Sequence, residues 1–141
     1  SEWREGALAA AELLMRRKVA KCREGSTAEV MLRQIRYSQE SIKGVFMDGR
    51  PISVMRQELA SGRKSIEDIP PISVVVTNGQ VYSADNRRLW TFRHSGMPLD
   101  MRVPVAVGNS NAAFVRKMTT PTAGLTIRRR GDEGFGGGEH S

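Results

Sequence analysis

The sequence predicts a small α/β (α+β) domain in which short helices cover a mixed sheet. Three observations support that fold class. Residues 72–76 are a β-branched run, and the Asn78-Gly79 pair that follows is favoured in tight hairpins. Residues 101–107 alternate as a strand does, with Pro104 indicating an edge position or a bulge. Other segments of the chain have apolar residues at helical spacing. The chain has 141 residues, which is long enough for one domain and too short for two full ones.

The first half of the chain is predicted to contain three helices and one strand. Apolar residues recur along one stripe of 3–23, which predicts a helix with basic residues near its C-terminal end. Residues 30–37 are rich in β-branched, aromatic and long apolar types and predict a strand. A helix is then expected over 39–47 with Ser38 as its N-cap, and another over 51–61.

The second half continues the hairpin with a return strand over 80–83 and a short helix over 85–94. Residues 109–117 suggest a weak helix. From Thr119 the chain gathers Thr, Pro and Gly with a run of arginines, so this tail is expected to be mobile.

These elements suggest three parts: a basic amphipathic helix over 1–29, an α/β domain over 30–108, and a weak helix with a flexible Gly- and Arg-containing tail over 109–141.

Charge and composition narrow the function. Lys and Arg number 22 against 15 Asp and Glu, a net charge of +7 that favours anionic partners, with DNA, RNA or nucleotide phosphate first. A basic surface without a dedicated partner is the alternative. The single cysteine excludes an internal disulfide and multi-cysteine metal sites. No apolar run is long enough to cross a membrane and no secretory signal is visible, so a cytoplasmic protein, or one delivered into a target cell, is expected.

The segment 81–93 carries the clearest chemical signal. A strand leads into a sharp turn at Asp85, and a helix begins at once, so free N–H groups and the helix dipole create an anion site. Arg87 and Arg88 lie in the first turn of this helix, where their guanidinium groups can bind phosphate through hydrogen bonds. Because two arginines oppose the dipole there, their presence favours a bound anion.

Asp85 has two interpretations in this segment. Its carboxylate either caps the helix or holds a metal or a water molecule. In the purely structural alternative, Asp85 caps the helix while the arginines pair with Asp48 or Glu58. Trp90 is expected in the core, with a base-stacking wall as the alternative, and His94 is expected to interact with the C-terminal end of the helix dipole.

Two further groups are candidates for the same cleft. Asp48 and Arg50 flank a glycine and would contribute a carboxylate and a guanidinium, or would simply form a turn. Arg36 and Gln39 end the first predicted strand and would face the cleft from there.

The order of these elements resembles the ParB/sulfiredoxin-like superfamily over residues 30–108. The resemblance is carried by the start Arg36-Tyr-Ser-Gln39, by Asp48-Gly-Arg50, by Pro71-Ile-Ser-Val74 and by Asp85-Asn-Arg-Arg-Leu-Trp90. Together they look like a divergent branch similar to ParB-type domains of bacterial polymorphic toxins.

The resemblance implies phosphate binding at the turn Asp85–Arg88, with an activity that differs among members, from CTP or ATP use to proposed nucleases. Asn86 stands where sulfiredoxins have cysteine and ParB proteins have glutamate, which argues against sulfiredoxin chemistry and against ParB-like magnesium and CTP handling. A chromosome-segregation clamp is not expected, because its other domains have no room in this chain.

The leading hypothesis is a phosphate-binding domain that acts on nucleic acid as a metal-assisted, nuclease-type effector. Catalytic roles are assigned to Asp85, Arg88 and Asp48, and phosphate or nucleotide binding to Asn86, Arg87, Arg88, Arg50, Arg36 and Gln39. Asp85 would be the ligand of Mg²⁺ or another divalent metal, and a nucleoside triphosphate is a second conceivable cofactor. A nucleotide-dependent phosphotransferase and a non-catalytic nucleic-acid-binding module remain open. The toxin resemblance also implies a neutralising immunity-type partner.

Overall fold

The computed structural model describes residues 1–109, 111–120, 122 and 124–130. Its helices and strands follow in chain order as α1 Glu2–Ala20, β1 Thr27–Met31, β2 Ile35–Tyr37, β3 Ser41–Lys43, α2 Ile52–Ala60, β4 Ile72–Thr77, β5 Gln80–Ser83, α3 Asn86–Arg93, β6 Arg102–Val107, α4 Ala112–Lys117 and β7 Arg128–Arg130. Short 3₁₀ turns lie at Leu32–Gln34 and Ile66–Asp68.

Five strands form one mixed sheet in the order β1-β6-β4-β5-β2. The β1–β6 and β4–β5 pairs are antiparallel, whereas β4–β6 and β2–β5 are parallel. A separate small sheet consists of β3 and β7 in parallel. The prediction of a mixed α/β fold is therefore confirmed at the level of fold class.

The predicted hairpin is confirmed, and its turn has the geometry that the sequence suggested. Asn78 and Gly79 have φ of 50° and 72° between β4 and β5. Positive φ at both turn residues is the requirement of a type I′ turn, whose twist suits antiparallel strands. The helices predicted over 3–23, 51–61 and 85–94 are confirmed as α1, α2 and α3.

The helix predicted over 39–47 is wrong. Ser38 does not cap a helix, because its N–H donates to the Asn86 side chain and its hydroxyl donates to the Ser83 carbonyl. The chain then forms β3, which pairs with β7 from the far end of the chain. Local propensity in this segment is overridden by hydrogen bonds to residues distant in sequence.

The single strand predicted over 30–37 is two strands. The 3₁₀ turn at Leu32–Gln34 separates β1 from β2, and the Gln34 side chain stabilises it by accepting the Met31 N–H at 2.8 Å. Because of this break, β1 and β2 lie at opposite edges of the five-stranded sheet.

Pro104 does not mark an edge, since β6 lies between β1 and β4. Val107 N–H donates to Ser26 on the β1 side, and Gly108 N–H donates to Val74 on the β4 side. Alternation along the strand places the Pro104 nitrogen on the β4 side, where pairing begins only at Val105. The missing N–H therefore costs no bond of that ladder, which explains how an interior strand accommodates proline.

The described part of the C-terminal tail differs from the mobile segment that was expected. β7 pairs residue by residue with β3, and Ile127 is buried in the core. Tyr37 N–H donates to the Gly124 carbonyl at 2.9 Å, which attaches this segment to β2. The Gly-rich end of the tail lies outside the described residues.

Candidate functional site

A cleft of about 1020 Å³ lies where the N-terminal end of α3 meets the β3–β7 sheet and the loop between β3 and α2. It brings together seven of the eight residues predicted from sequence, namely Gln39, Asp48, Arg50, Asp85, Asn86, Arg87 and Arg88. Arg36 is the exception. It lies in β2 opposite Tyr82 and is not among the described residues that line the cleft, so its predicted role there stays a prediction.

The first turn of α3 offers unpaired backbone donors to this cleft. The first bond of the helix runs from Leu89 N–H to the Asp85 carbonyl at 3.0 Å. The amides of Asn86, Arg87 and Arg88 precede it, and no described residue accepts a hydrogen bond from them. The positive end of the helix dipole adds to their attraction for an anion.

The Asp85 side chain does not cap α3, so the first of its two interpretations is wrong. Its Oδ2 accepts hydrogen bonds from Ser73 N–H at 2.7 Å and from Arg88 Nη1 at 3.1 Å. Its own N–H donates to the Ser83 hydroxyl at 2.9 Å. Asp85 therefore attaches the start of α3 to β4.

Arg87 and Arg88 have different surroundings. Arg87 Nη1 donates to the Val45 carbonyl at 2.9 Å, which leaves its other nitrogens for a ligand. Arg88 donates to Asp85 and to the Pro71 carbonyl at 3.2 Å, so it mainly positions Asp85. Neither arginine pairs with Asp48 or Glu58.

Those two carboxylates have other partners. Glu58 pairs with Lys64 at 3.8 Å, and Asp48 pairs with Arg50 at 3.4 Å at the exposed rim of the cleft. The backbone N–H of Arg50 is the main cause that lowers the pKa of Asp48. The interpretation of this segment as a turn is thus correct, and the same turn contributes Asp48 and Arg50 to the cleft lining.

The Asn86 side chain makes two hydrogen bonds with Ser38. Its Oδ1 accepts the Ser38 N–H and its Nδ2 donates to the Ser38 hydroxyl, both at 2.9 Å. These bonds hold the Asn86 side chain on Ser38, and its predicted contact with phosphate stays a prediction.

Two cationic residues of the cleft were not predicted from sequence. Lys43 and Arg130 are directly opposite each other in the β3–β7 pair, and both line the cleft. The arginine run at 128–130 was visible in the sequence but was assigned to a mobile tail. The cleft lining thus contains five cationic side chains against two acidic ones, Asp48 and Asp85. The cationic set is Lys43, Arg50, Arg87, Arg88 and Arg130.

Trp90 is a core residue, as expected, and does not provide a base-stacking wall. It is 1% exposed, its ring stacks on His94 at 4.5 Å, and the Arg129 guanidinium lies over it, also at 4.5 Å. His94 lies at the C-terminal end of α3, with Nδ1 2.8 Å from the Trp90 carbonyl. This is the position that was expected of a residue interacting with the helix dipole.

The described residues do not provide a good donor set for a divalent metal. They contain no group of three or more His, Cys, Asp or Glu side chains suited to hold one. Asp48 and Asp85, the two carboxylates of the cleft, each pair with an arginine. A cation bound there would have to displace or face a guanidinium.

No helix in the described part of the chain is both long enough and apolar enough to span a bilayer. The sequence matches no protein-family model and no curated protein. The function of the cleft is therefore inferred from the chemistry of its own residues.

Proposed function

We propose that the cleft binds phosphate groups of nucleic acid, and that the chain is a ParB/sulfiredoxin-like domain acting as a nuclease-type effector. The observation that carries this proposal is the convergence of the unpaired amides at the start of α3 with cationic side chains from three other segments. Backbone N–H groups and guanidinium groups together are the donors that phosphate oxygens accept best.

The residues have distinct roles in this proposal. The amides of Asn86 to Arg88 and the free nitrogens of Arg87 hold one phosphate. Lys43 and Arg130 supply charge from the opposite wall, and Arg50 supplies it from the rim. Because Arg88 is bound to Asp85, it acts as a positioning residue and not as a direct phosphate ligand.

In this proposal Asp85 is the general base that accepts a proton during hydrolysis of the phosphodiester. Its Oδ2 is engaged by Ser73 and Arg88, whereas no described residue donates to its Oδ1. Oδ1 can therefore accept a proton from a water molecule whose oxygen forms a bond to phosphorus. One ester P–O bond of the phosphodiester breaks in the same step, and the departing sugar oxygen takes a proton from solvent. Arg50 and Arg87 would stabilise the charge that develops on the phosphate. The proposed step uses no metal, because the two carboxylates of the cleft are paired with arginines.

A nucleotide-dependent phosphotransferase is the second candidate, and the size of the cleft favours it. A volume of about 1020 Å³ is at the upper end of the range that small-molecule sites occupy. In either case, a neutralising partner protein with an acidic surface would cover the same cationic lining.

The binding part is tested by Arg87→Gln, with Arg63→Gln as the matched control, because Arg63 is exposed and does not line the cleft. Fluorescence anisotropy with a labelled oligonucleotide at low salt measures the affinity, and circular dichroism checks the fold. We expect Arg87→Gln to weaken binding about tenfold, and the control to change it less than about twofold. Equal affinities of Arg87→Gln and the wild type would contradict the proposal.

The catalytic part is tested by a cleavage time course on plasmid DNA and on RNA, with Mg²⁺, with Mn²⁺ and with EDTA. Asp85→Asn serves as the variant, since an amide cannot accept the proton. We expect cleavage by the wild type in all three conditions and none by Asp85→Asn. Retained binding without any cleavage would leave a non-catalytic nucleic-acid-binding module, and cleavage that stops with EDTA would assign the step to a metal.

A further inference from the structure

The segment Val45–Met47, which we call the apolar lip, lines the same cleft as the five cationic side chains. Met47 is 94% exposed and Val45 is 41% exposed, although both line the cleft. Phe46 is partly buried against the core and is the aromatic residue among those that line the cleft. The cleft therefore combines apolar side chains with five cationic ones in one lining.

Hydrogen bonds hold the apolar lip in a defined position relative to Arg50 and to the start of α3. Phe46 N–H donates to the Arg50 carbonyl at 2.8 Å, and Gly49 N–H donates back to the Phe46 carbonyl at 3.0 Å. Arg87, from the start of α3, donates to the Val45 carbonyl at 2.9 Å. The arginine that is proposed to hold phosphate is therefore hydrogen-bonded to the segment that exposes the apolar side chains.

We infer that the ligand of this cleft is single-stranded nucleic acid, with a base packed on Phe46 and Met47 while its phosphate lies at the start of α3. This inference rests on the proposed function and adds the class of substrate. In a duplex the faces of the bases are stacked on each other, so only phosphates and groove edges would reach the cleft. In a single strand the base faces are free, and sites for such strands combine a positive groove with side chains on which bases stack.

The chemistry of the apolar lip fits a base better than it fits a second phosphate or an acidic peptide. The ring of Phe46 and the polarisable thioether of Met47 make favourable contacts with aromatic faces. Neither side chain can donate a hydrogen bond to an anion. The cationic lining supplies the complementary charge for the sugar–phosphate backbone.

The test compares a single-stranded oligonucleotide with a duplex of the same length, both measured by anisotropy at low salt. Pyrophosphate, measured by calorimetry, is the probe that carries phosphate without a base. The variants are Met47→Ser and Phe46→Leu. Met47 is so exposed that its replacement should leave the fold intact, and leucine keeps the apolar packing of residue 46 without its ring. Leu14→Ser on α1 is the matched control, because Leu14 is also an exposed apolar residue and is not among the residues that line the cleft.

We expect the wild type to bind the single strand about tenfold more tightly than the duplex. Each lip variant should lose most of that preference while keeping its affinity for pyrophosphate, and Leu14→Ser should behave as the wild type. A preference for the duplex, or a preference for the single strand that both lip variants retain, would overturn the inference and leave the proposed function standing.

Other outcomes separate the two proposals. A wild-type chain that binds neither oligonucleotide nor pyrophosphate would overturn the proposed function and this inference with it. A dimer seen by light scattering that Met47→Ser abolishes would show that a second copy covers the apolar lip, and would also overturn the inference.

Discussion

Asp85 and Asn86 are adjacent at the start of α3, and both use their side chains to attach the helix to the sheet. Asp85 reaches the Ser73 amide and Asn86 reaches Ser38, which lie 12 and 48 residues earlier in the chain. A sequence motif shows which residue types are present at this turn, but it does not show that β4 and the end of β2 lie beside it. At this turn the backbone amides and Arg87 are therefore the main donors proposed for a phosphate, because the side chains of Asp85 and Asn86 hold the helix in place.

Tyr37 leads to a prediction about pH. It is 1% exposed, its hydroxyl has no hydrogen-bond partner among the described residues, and burial raises the pKa of that hydroxyl well above its usual value near 10. Because the pKa is raised on folding, the unfolded chain releases this proton at a lower pH than the folded one. The free energy of unfolding therefore keeps its full value below pH 10 and falls as the pH rises above it. Urea denaturation at several pH values should show this alkaline loss in the wild type.

The matched variant is Tyr37→Phe, which keeps the ring under the Arg93 guanidinium, 5.3 Å from its centroid. We expect its free energy of unfolding at pH 7 to lie within about 1 kcal/mol of the wild type, since no hydrogen bond is lost. The decrease of its free energy of unfolding above pH 10 should be smaller than in the wild type. A loss above about 2 kcal/mol at pH 7 would show that the hydroxyl makes a stabilising contact.

At the level of elements, β7 completes the cleft. Its alternation buries Arg129 against Trp90 and exposes Arg130, which then lines the cleft opposite Lys43. Like charges directly opposite in a sheet are destabilising unless an anion or another group lies between them. This arrangement is a further reason to place a phosphate there, and it makes the C-terminal segment part of the candidate site.

Gly124 is the position where this segment can be detached selectively. It has φ of +80°, and a Cβ there would lie 2.4 Å from the Tyr37 carbonyl oxygen and 2.6 Å from Arg36 Cβ. We expect Gly124→Ala to lower the free energy of unfolding by about 2–3 kcal/mol through strain and overpacking, and to raise hydrogen exchange over 124–130. Its affinity for pyrophosphate should also fall, because Arg130 would be displaced.

Gly62→Ala is the control for that experiment, since Gly62 has a similar φ of +81° and open space around its Cβ position. We expect it to cost about 1 kcal/mol and to leave exchange over 124–130 unchanged. If the two variants behaved alike, the close approach of Gly124 to β2 would not be what holds β7 in place.

For the whole molecule, the core extends beyond the segment 30–108 that the sequence suggested as the domain. Val19 of α1 is 1% exposed and Ile127 is 2% exposed, and both belong to the same apolar cluster as the sheet residues. Most of β1 also precedes residue 30, so a fragment beginning there would lose three of the five residue pairs of the β1–β6 ladder.

Expression of 30–108 alone tests this boundary. Burying a Val or Ile side chain fully contributes about 1.5–3 kcal/mol, so the fragment should be less stable than residues 1–130 by at least about 3 kcal/mol. Urea denaturation followed by circular dichroism measures the difference. Equal midpoints and slopes for the two fragments would confirm 30–108 as an independent domain.

Sequence reasoning located the elements whose signals are local. The Asn78-Gly79 turn, the three longer helices and the turn at Asp85 depend on residues only a few positions apart, and each is present in the structure. Most of the candidate cleft was also predicted, because the arginines of α3 and the Asp48–Arg50 turn are recognisable by residue type.

The sequence by itself determined a mixed α/β fold, a basic chain and a turn at Asp85 with two arginines in the first turn of the helix that follows. The tertiary structure decided that 39–47 is not a helix, that Pro104 lies in an interior strand, and that Lys43 and Arg130 meet in one cleft. Each of these depends on hydrogen bonds between residues far apart in the chain. The helix and strand propensities of a short segment differ by less than the free energy of such pairings. The fold as a whole therefore decides which secondary structure the segment adopts.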